Sequence, residues 1–313
     1  MGTILGITLP IYVVVALGYV TTRRGLFDPA DLQVMGRYVL NIALPALLFH
    51  ATASRDIAQI LHPGYMVAMA GAGLVTAALT YAWFSATGAD PTRRAAGVMG
   101  ATCPNSAFVG YPVMLLAFPD QAGLVLALNT TVENLLIIPL SLVLFELSKP
   151  DAGGSLGRKV AKALAGVLAR PYMIGLLAGL AWSLAGLPLP EAADRTLGIL
   201  GASAAALSLF VIGGTLSGLS LEGNRPAALQ TALAKLLLHP AIMALMVLLV
   251  PLAGLALSPE MATIAILSAA MPIFGIYTIL AQDIGRQGMA ALAITLTTLG
   301  GFATISAALW LLL

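Results

Sequence analysis

Apolar runs alternate along the whole chain with short clusters of charged residues, prolines and glycines. A helix needs roughly 20 predominantly apolar residues to cross the hydrocarbon core of a bilayer. Ten runs of this kind predict ten membrane-spanning helices joined by short loops, with no room for a separate soluble domain. The predicted spans cover residues 3–21, 36–54, 63–87, 95–118, 121–147, 170–187, 196–219, 227–252, 260–282 and 288–312.

The fourth predicted span is interrupted by the stretch Cys103–Pro112. Pro104 and Pro112 lack backbone N–H groups and clash with preceding carbonyls, and Gly110 loosens the turn between them, so we expect a broken helix. Backbone groups freed at membrane depth are tolerated only inside protein or beside a water-filled cavity. We therefore expect a polar ligand to be held here, the alternative being a plain proline kink.

The ninth predicted span has a matching interruption at Pro272. The longest connection, residues 149–169, separates residues 1–148 from residues 170–313, and each part contains five predicted spans. An odd number of spans gives the second part the opposite orientation in the membrane, which is the condition for an inverted repeat. Both breaks fall in the fourth span of their part. We therefore predict an all-α polytopic membrane protein built from two inverted five-helix repeats.

Composition agrees with this class, because 59% of the residues are apolar and 9% are charged. Soluble domains average about 45–50% and about 25%. The one cysteine excludes an intramolecular disulfide and a multi-cysteine metal site. The net charge of +2 comes from basic residues scattered over loops, so nothing predicts a nucleic-acid partner. We expect a lipid bilayer as the surroundings and no cofactor.

Lysines and arginines fall almost entirely on one side of the predicted membrane. Cytoplasmic loops carry the excess of Lys and Arg in membrane proteins, so this side is predicted to be cytoplasmic and both termini periplasmic. The opposite side receives only Arg55 and Arg195. The predicted cytoplasmic residues are Arg23, Arg24, Arg37, Arg93, Arg94, Lys149, Arg158, Lys159, Lys162, Arg170, Arg225 and Arg286.

Glu133 lies near the middle of the fifth predicted span, too deep to reach either surface easily. A carboxylate in the membrane is costly unless it is paired, protonated or solvated by a cavity. One interpretation is a protonatable or cation-binding group, assisted by Asn129 four residues earlier and by the adjacent Asn134. The alternative is a structural residue paired with another helix.

Lys235 and His239 lie four residues apart on one face of the eighth predicted span. Lys235 either extends toward the cytoplasmic surface or is a partner for Glu133 or for an anionic substrate. His239 precedes Pro240 and is either a packing residue or part of an ion-coupling site. Asp283 lies beside Arg286 at the cytoplasmic end of the ninth span, where we expect a solvated surface pair.

Asn105 follows Pro104 where the second half of the broken span begins. Asn105 and Ser106 can cap exposed amides, and the partial positive charge of a helix N-terminus suits an anion such as a carboxylate. Asn105 is thus a candidate ligand for an anionic substrate, the alternative being that it only caps its own helix. Two glycine pairs spaced four apart, Gly175 with Gly179 and Gly214 with Gly218, predict close helix contacts in spans six and seven.

Three stretches resemble the auxin efflux carrier family of secondary transporters in its bacterial branch: Asn41–Phe49, Pro104–Pro112 and Ala270–Pro272. The resemblance covers essentially the whole chain. It implies that broken helices 4 and 9 cross at mid-membrane. It also implies that helices 1, 2, 6 and 7 form a scaffold domain, that helices 3–5 and 8–10 form a transport domain, and that the protein lies in the bacterial inner membrane as a homodimer through the scaffold.

Carried over to this sequence, the family pattern places the crossing prolines at Pro104 and Pro272 and a substrate-contacting asparagine at Asn105. Plant members have a second asparagine where this chain has Ile273, so the resemblance does not by itself imply auxin, and an auxin-like acid stays open as a substrate. The bacterial branch implies small carboxylates such as malate or malonate. The substrate site expected from the resemblance comprises Pro104, Asn105, Ser106, Pro272 and Ile273.

The sequence thus predicts a secondary active transporter of a small organic anion, working by elevator-type alternating access and coupled to H⁺ or Na⁺. Efflux driven by the membrane potential and the substrate's own gradient stays open. No Gly-x-x-x-x-Gly-Lys motif for ATP, no His-Glu-x-x-His motif and no intramembrane aspartate pair is present, so an enzyme is not expected. The remaining alternative, a monovalent cation/proton antiporter, would need aspartates close to the crossing.

Overall fold

The computed structural model describes residues 2–56, 60, 62–149, 155–218 and 223–312 of the chain. Within these residues the fold is all-helical, apart from turns and one isolated bridge between two extended residues. The helices are α1 (Gly2–Arg23), α2 (Pro29–Ala53), α3 (Pro63–Ala86), α4 (Pro91–Thr102), α5 (Ser106–Ala117), α6 (Ala122–Ser148), α7 (Leu156–Leu168), α8 (Pro171–Leu184), α9 (Glu191–Gly218), α10 (Arg225–Ala253), α11 (Pro259–Ala269), α12 (Tyr277–Gln282) and α13 (Gln287–Leu312).

Seven of the described helices are long and apolar enough to cross a membrane: α1, α2, α3, α6, α9, α10 and α13. The number becomes eight if α7 and α8, which follow each other across a bend, count as one span. The prediction of an all-α, multi-pass membrane protein is confirmed. The other three predicted spans coincide with shorter helices, namely α4 with α5, α8 alone, and α11 with α12. That these shorter helices complete ten crossings in two inverted repeats stays a prediction.

Helix starts follow local sequence rules. The side chains of Asp28, Asp90, Asn224 and Ser258 each accept a hydrogen bond from a backbone amide in the first turn of α2, α4, α10 and α11. Each is followed within two residues by a proline, whose fixed φ and missing N–H suit the first turn of a helix. These caps set where the helices begin.

Four helices contain a π-helical turn two residues before a proline. The turns are Val39–Ala43, Ser106–Gly110, Glu133–Ile137 and Ala234–Leu238, and the prolines are Pro45, Pro112, Pro139 and Pro240. In an α-helix a proline ring clashes with the carbonyl four residues earlier. One extra residue in the turn moves that carbonyl away, so the helix continues past the proline.

By its packing the chain divides into two compact units. Unit 1 comprises Met1–His62, Ser106–Thr130 and Leu168–Gly218, and its main packing is of α1 on α9 and of α2 on α8 and α9. Unit 2 comprises Pro63–Asn105, Thr131–Val167 and Leu219–Leu313. In unit 2, α3 packs on α4 and α10, and α10 packs on α11 and α13. The expected scaffold and transport domains stay a prediction.

Glycines allow the close helix contacts inside unit 1. A methyl group on Gly175 would lie 2.5 Å from the Pro45 carbonyl oxygen, and one on Gly179 would overlap Thr52. A methyl group on Gly214 would crowd Leu32. The predicted close contacts at these three glycines are confirmed. The prediction for Gly218 is wrong, because no atom lies within 4 Å of an added methyl group there.

The predicted connection 149–169 contains helix α7, which the span search missed. Apolar residues at positions 156, 160, 164 and 167 follow the helical period, while Arg158, Lys159 and Lys162 lie between them. A search for long, continuously apolar runs overlooks a 13-residue helix with a basic face. Residues 150–154 of this connection lie outside the described part of the chain.

Candidate functional site

The two helix breaks of unit 2 are joined to each other by backbone hydrogen bonds. Pro104 and Ile273 form an antiparallel bridge. The Asn105 amide donates to the Pro272 carbonyl oxygen at 2.8 Å, and the Phe274 amide donates to the Cys103 carbonyl oxygen at 3.2 Å. Pro104 is tolerated because this pattern uses the carbonyl of the preceding residue and the amide of the following residue, and needs no N–H from Pro104 itself. Each break thus provides hydrogen-bond partners for backbone groups that the other break leaves without helical partners.

The first break is shorter than predicted. Helix α4 ends at Thr102 and α5 begins at Ser106, so only residues 103–105 leave the helical path. The expectation that Gly110 and Pro112 extend the break is wrong, because both lie inside α5. The π-helical turn Ser106–Gly110 removes the steric reason for Pro112 to end the helix.

The second break runs between α11 and α12 and is braced by hydroxyl groups. The Ile273 amide donates to Thr297 Oγ1 at 3.3 Å, and the Tyr277 hydroxyl donates to the Ala96 carbonyl oxygen at 2.7 Å. The Tyr65 and Ser268 hydroxyls lie 3.1 Å apart. Sequence reasoning missed these residues, since single hydroxyls inside apolar spans form no recognisable pattern. These hydrogen bonds tie the second break to α13, and its flanking helices to α3 and α4.

The predicted substrate residues at the first break are buried. Asn105 is 3% exposed and Ser106 is 4% exposed. Within unit 1, Asn129 Nδ2 donates to Ser106 Oγ at 3.4 Å. Asn129, predicted to assist Glu133 in ion binding, therefore contacts a predicted substrate residue. Amide and hydroxyl groups held in this way can donate hydrogen bonds to a carboxylate.

Glu133 and Lys235 are buried side chains of opposite charge type in unit 2. Each lies in a π-helical turn, Glu133 at 8% and Lys235 at 0% exposure, and Asn134 is buried beside Glu133. Their charges interact, and Lys235 Nζ donates to the Ala269 carbonyl oxygen at 3.0 Å. Burying one such charge without a partner would cost several kcal/mol. The expectation that Lys235 extends toward the cytoplasmic surface is wrong, because its partners lie in the interior.

His239 follows Lys235 by one helical turn and is 2% exposed. Its Nδ1 lies 3.0 Å from Thr76 Oγ1 on α3. This hydrogen bond satisfies one ring nitrogen and ties α10 to α3. His239 therefore has a packing role, and its part in ion coupling stays a prediction.

Arg286 pairs with Asp90 and not with the predicted Asp283. Arg286 Nη2 lies 2.9 Å from both carboxylate oxygens of Asp90, and Nε donates to Thr92 Oγ1 at 2.9 Å. Partial burial alone would raise the pKa of Asp90. Hydrogen bonds from the Thr92 hydroxyl and the Arg93 amide, with the charges of Arg286 and Arg93, lower this pKa to about 2. Arg286 thus pairs with Asp90, which also caps α4, and not with Asp283, which is closer in sequence.

Comparison with known proteins decides the family. A family model described as "Membrane transport protein" matches residues 3–311. The chain belongs to this family of membrane transport proteins, the auxin efflux carriers. The predicted resemblance is confirmed, and the members of the auxin efflux carrier family are transporters and not enzymes.

Relatives within the auxin efflux carrier family come from bacteria and plants. A proposed malonate transporter of Rhizobium meliloti is 28% identical, covering 100% of this chain and 97% of the relative. The uncharacterized transporter YfdV of Escherichia coli is 27% identical over 98% of this chain and 96% of the relative. Auxin efflux carrier component 8 of Arabidopsis thaliana is 21% identical over 85% of each chain.

For a member of the auxin efflux carrier family, the arrangement offers two kinds of chemistry. The first break supplies neutral hydrogen-bond donors at Asn105 and Ser106, and the buried charges of Glu133 and Lys235 supply groups that can gain or lose protons. Among the described residues, no cluster of three or more His, Cys, Asp or Glu side chains could hold a metal ion.

Proposed function

We propose that this member of the auxin efflux carrier family is a secondary active transporter of a small organic anion such as malonate or malate. The observation that carries the proposal is the pairing of the two helix breaks through Pro104 and Ile273 inside unit 2. Transporters bind their substrates where discontinuous helices meet within the membrane. The name of the Rhizobium meliloti relative supports malonate as one candidate.

The chemistry of the first break supports an anion as the substrate. Asn105 and Ser106 stand at the start of α5, where amides without helical partners carry partial positive charge. Pro272 and Ile273 bring no side-chain donor from the second break, so the polar contacts to substrate come mainly from the first. A single amide and a single hydroxyl suit a small carboxylate better than a large aromatic acid, although an auxin-like acid remains a compound to test.

In the proposed architecture, α4 with α5 and α11 with α12 are the broken fourth and ninth of ten membrane-spanning helices. The ten spans form two inverted five-helix repeats, and the fourth and ninth spans cross at mid-membrane. Spans 1, 2, 6 and 7, counted from the N-terminus, act as a scaffold. Two copies form a homodimer through this scaffold in the bacterial inner membrane. The remaining helices carry the substrate in an elevator-type movement, and both termini are periplasmic.

The energy source in this proposal is an ion gradient of H⁺ or Na⁺. Glu133 is the coupling residue, with Lys235 as its partner. Asn129, Asn134 and His239 complete the polar surroundings expected from the sequence. Support comes from the burial of two opposite charges in a membrane protein, since intramembrane ionisable residues are rare and mark ion pathways.

Uptake into proteoliposomes tests the proposal. Purified protein is reconstituted, and accumulation of labelled malonate, malate and indole-3-acetic acid is followed with a pH gradient, a sodium gradient or neither. We expect saturable uptake of a small dicarboxylate that an ion gradient drives above equilibrium, and no uptake in protein-free liposomes. Cation-dependent proton flux without organic-acid uptake would instead identify a cation/proton antiporter.

A further inference from the structure

Lys235 donates a hydrogen bond to a backbone carbonyl at the end of α11 that has lost its helical donor. In an uninterrupted α-helix, the amide of Ile273 would donate to the carbonyl of Ala269 four residues earlier. Here the Ile273 amide donates to Thr297 Oγ1, and Lys235 Nζ donates to the Ala269 carbonyl oxygen at 3.0 Å. The ammonium group thus takes the place of a backbone donor at the point where α11 ends.

The surroundings of the Lys235 ammonium are those of a cation site. Carbonyl oxygens at a helix C-terminus have no helical partners and carry partial negative charge. Glu133 on α6 is close enough for its carboxyl group to interact electrostatically with the ammonium group. Other titratable groups near Lys235 are Cys103 in the first break and His239 one turn later on α10.

We propose that the Lys235 ammonium is a covalently attached counter-cation at the end of α11, so that the ion exchanged at this site is H⁺ and not Na⁺. The inference rests on the proposed function and narrows its coupling ion. A sodium ion would have to displace the ammonium group or be repelled by its charge at short distance. Lys235 and Glu133 can change their charges only by gaining or losing a proton.

The charge balance then fits a proton that travels with an anion. With no substrate bound, the Lys235 ammonium and the Glu133 carboxylate have a net charge of zero. When a dicarboxylate enters as its singly charged form, such as hydrogen malonate, one proton from water binds the Glu133 carboxylate and forms the neutral acid, and the Lys235 ammonium balances the remaining negative charge of the substrate. On the other side of the membrane the proton leaves Glu133 as the anion departs. No charge remains uncompensated in the membrane in either state.

Removing the ammonium group tests the inference directly. Lys235→Ala removes the ammonium group and leaves the Ala269 carbonyl oxygen without this donor. We expect purified Lys235→Ala protein to melt at a lower temperature than wild type, and to be stabilised by about 2 °C or more by millimolar Na⁺ or methylammonium over choline. Wild type and Lys235→Arg should respond equally to the three salts. Lys162→Ala removes an exposed lysine on α7 and is the matched control.

Transport gives the second readout. Wild-type uptake of malonate should follow a pH gradient and be unchanged when choline replaces Na⁺. Lys235→Ala should lose about tenfold or more of this uptake and regain part of it with Na⁺ or methylammonium. Sodium-dependent uptake or stabilisation of the wild type would overturn the inference, and so would a Lys235→Ala protein indifferent to both cations.

Two further outcomes are also decisive. If Lys235→Ala does not fold, Lys235→Gln takes its place, and the wild-type response to Na⁺ still decides between H⁺ and Na⁺. If the wild type takes up no organic anion, the proposed function fails. The melting experiments still show in that case whether Lys235 occupies a cation position.

Discussion

Arg286 holds the carboxylate of Asp90 with one nitrogen, Nη2, at 2.9 Å from both oxygens. The contact joins the turn before α13 to the turn before α4, two segments separated by most of unit 2 in sequence. Asp90 also accepts hydrogen bonds from Thr92 and from the Arg93 amide, so a single carboxylate organises the starts of both elements.

We predict that Asp90→Asn lowers the stability of the protein, by about 1 kcal/mol because the pair is partly exposed. The pKa of Asp90 is lowered on folding, so its contribution is present above the unfolded-state pKa of about 4 and lost as pH falls through about 2. The difference in melting temperature between wild type and Asp90→Asn should be constant from pH 8 to pH 5. A difference that grows on acidification would contradict the assignment. Asp283→Asn, at the partner predicted from sequence, should leave the melting temperature unchanged.

Thr297→Val should destabilise the protein because it removes the acceptor of the Ile273 amide inside the second break. A buried donor left without a partner costs about 1–3 kcal/mol. Thr297→Ser keeps the hydroxyl and should melt close to wild type. Thr295→Val on the same helix is a matched control, since Thr295 Oγ1 bonds only its own helix at the Ala291 carbonyl oxygen. Equal melting temperatures for the two valine variants would show that the hydrogen bond to Ile273 contributes nothing.

Asn105→Ala should raise the KM for the transported anion by about tenfold, the size of one lost hydrogen bond to a charged ligand. Asn41→Ala is the control, because Asn41 is exposed and donates to the Arg37 carbonyl oxygen of its own helix. Initial uptake rates in proteoliposomes give both values. An unchanged KM for Asn105→Ala in a protein that elutes and melts like wild type would remove Asn105 from the substrate site.

Gly179→Ala should destabilise unit 1, because the added methyl group would overlap Thr52 and crowd the Phe49 carbonyl oxygen on α2. Overpacking of this kind costs about 1–3 kcal/mol. Gly198→Ala in α9 has open space around its Cβ and should be neutral or slightly stabilising, since alanine favours helix. Melting temperatures of the two variants test whether the close contact or the helix propensity dominates.

The sequence was sufficient to locate the long spans and both breaks, because the apolar run length and the positions of Pro104 and Pro272 are local properties. It also identified Glu133 and Lys235 as unusual, since charge inside an apolar run is visible without a structure. A partnership of Lys235 with Glu133 was one of the interpretations that the sequence allowed, but the backbone partner of Lys235 was not predictable. Contacts such as Lys235 with Ala269, Ile273 with Thr297 and Asp90 with Arg286 join distant segments and depend on how the helices pack.

Local shape was predicted less well than position. The sequence predicts that Pro112 breaks the helix. In the structure the π-helical turn before Pro112 removes the steric clash, and the break is confined to residues 103–105. Helix α7 was not predicted, because basic residues lie between the apolar residues that follow its helical period. In both cases the sequence signal was present and was interpreted by a rule for long, straight α-helices.

The π-helical turns before prolines have a mechanical consequence. An extra residue in a helical turn can migrate along the helix when successive amides exchange carbonyl partners, and each step rotates a side chain by about 100°. A proline has no amide to exchange, so it stops this migration. Pro139 and Pro240 therefore keep the π-helical turns at Glu133 and Lys235 in place, so that each side chain keeps its direction relative to its own helix.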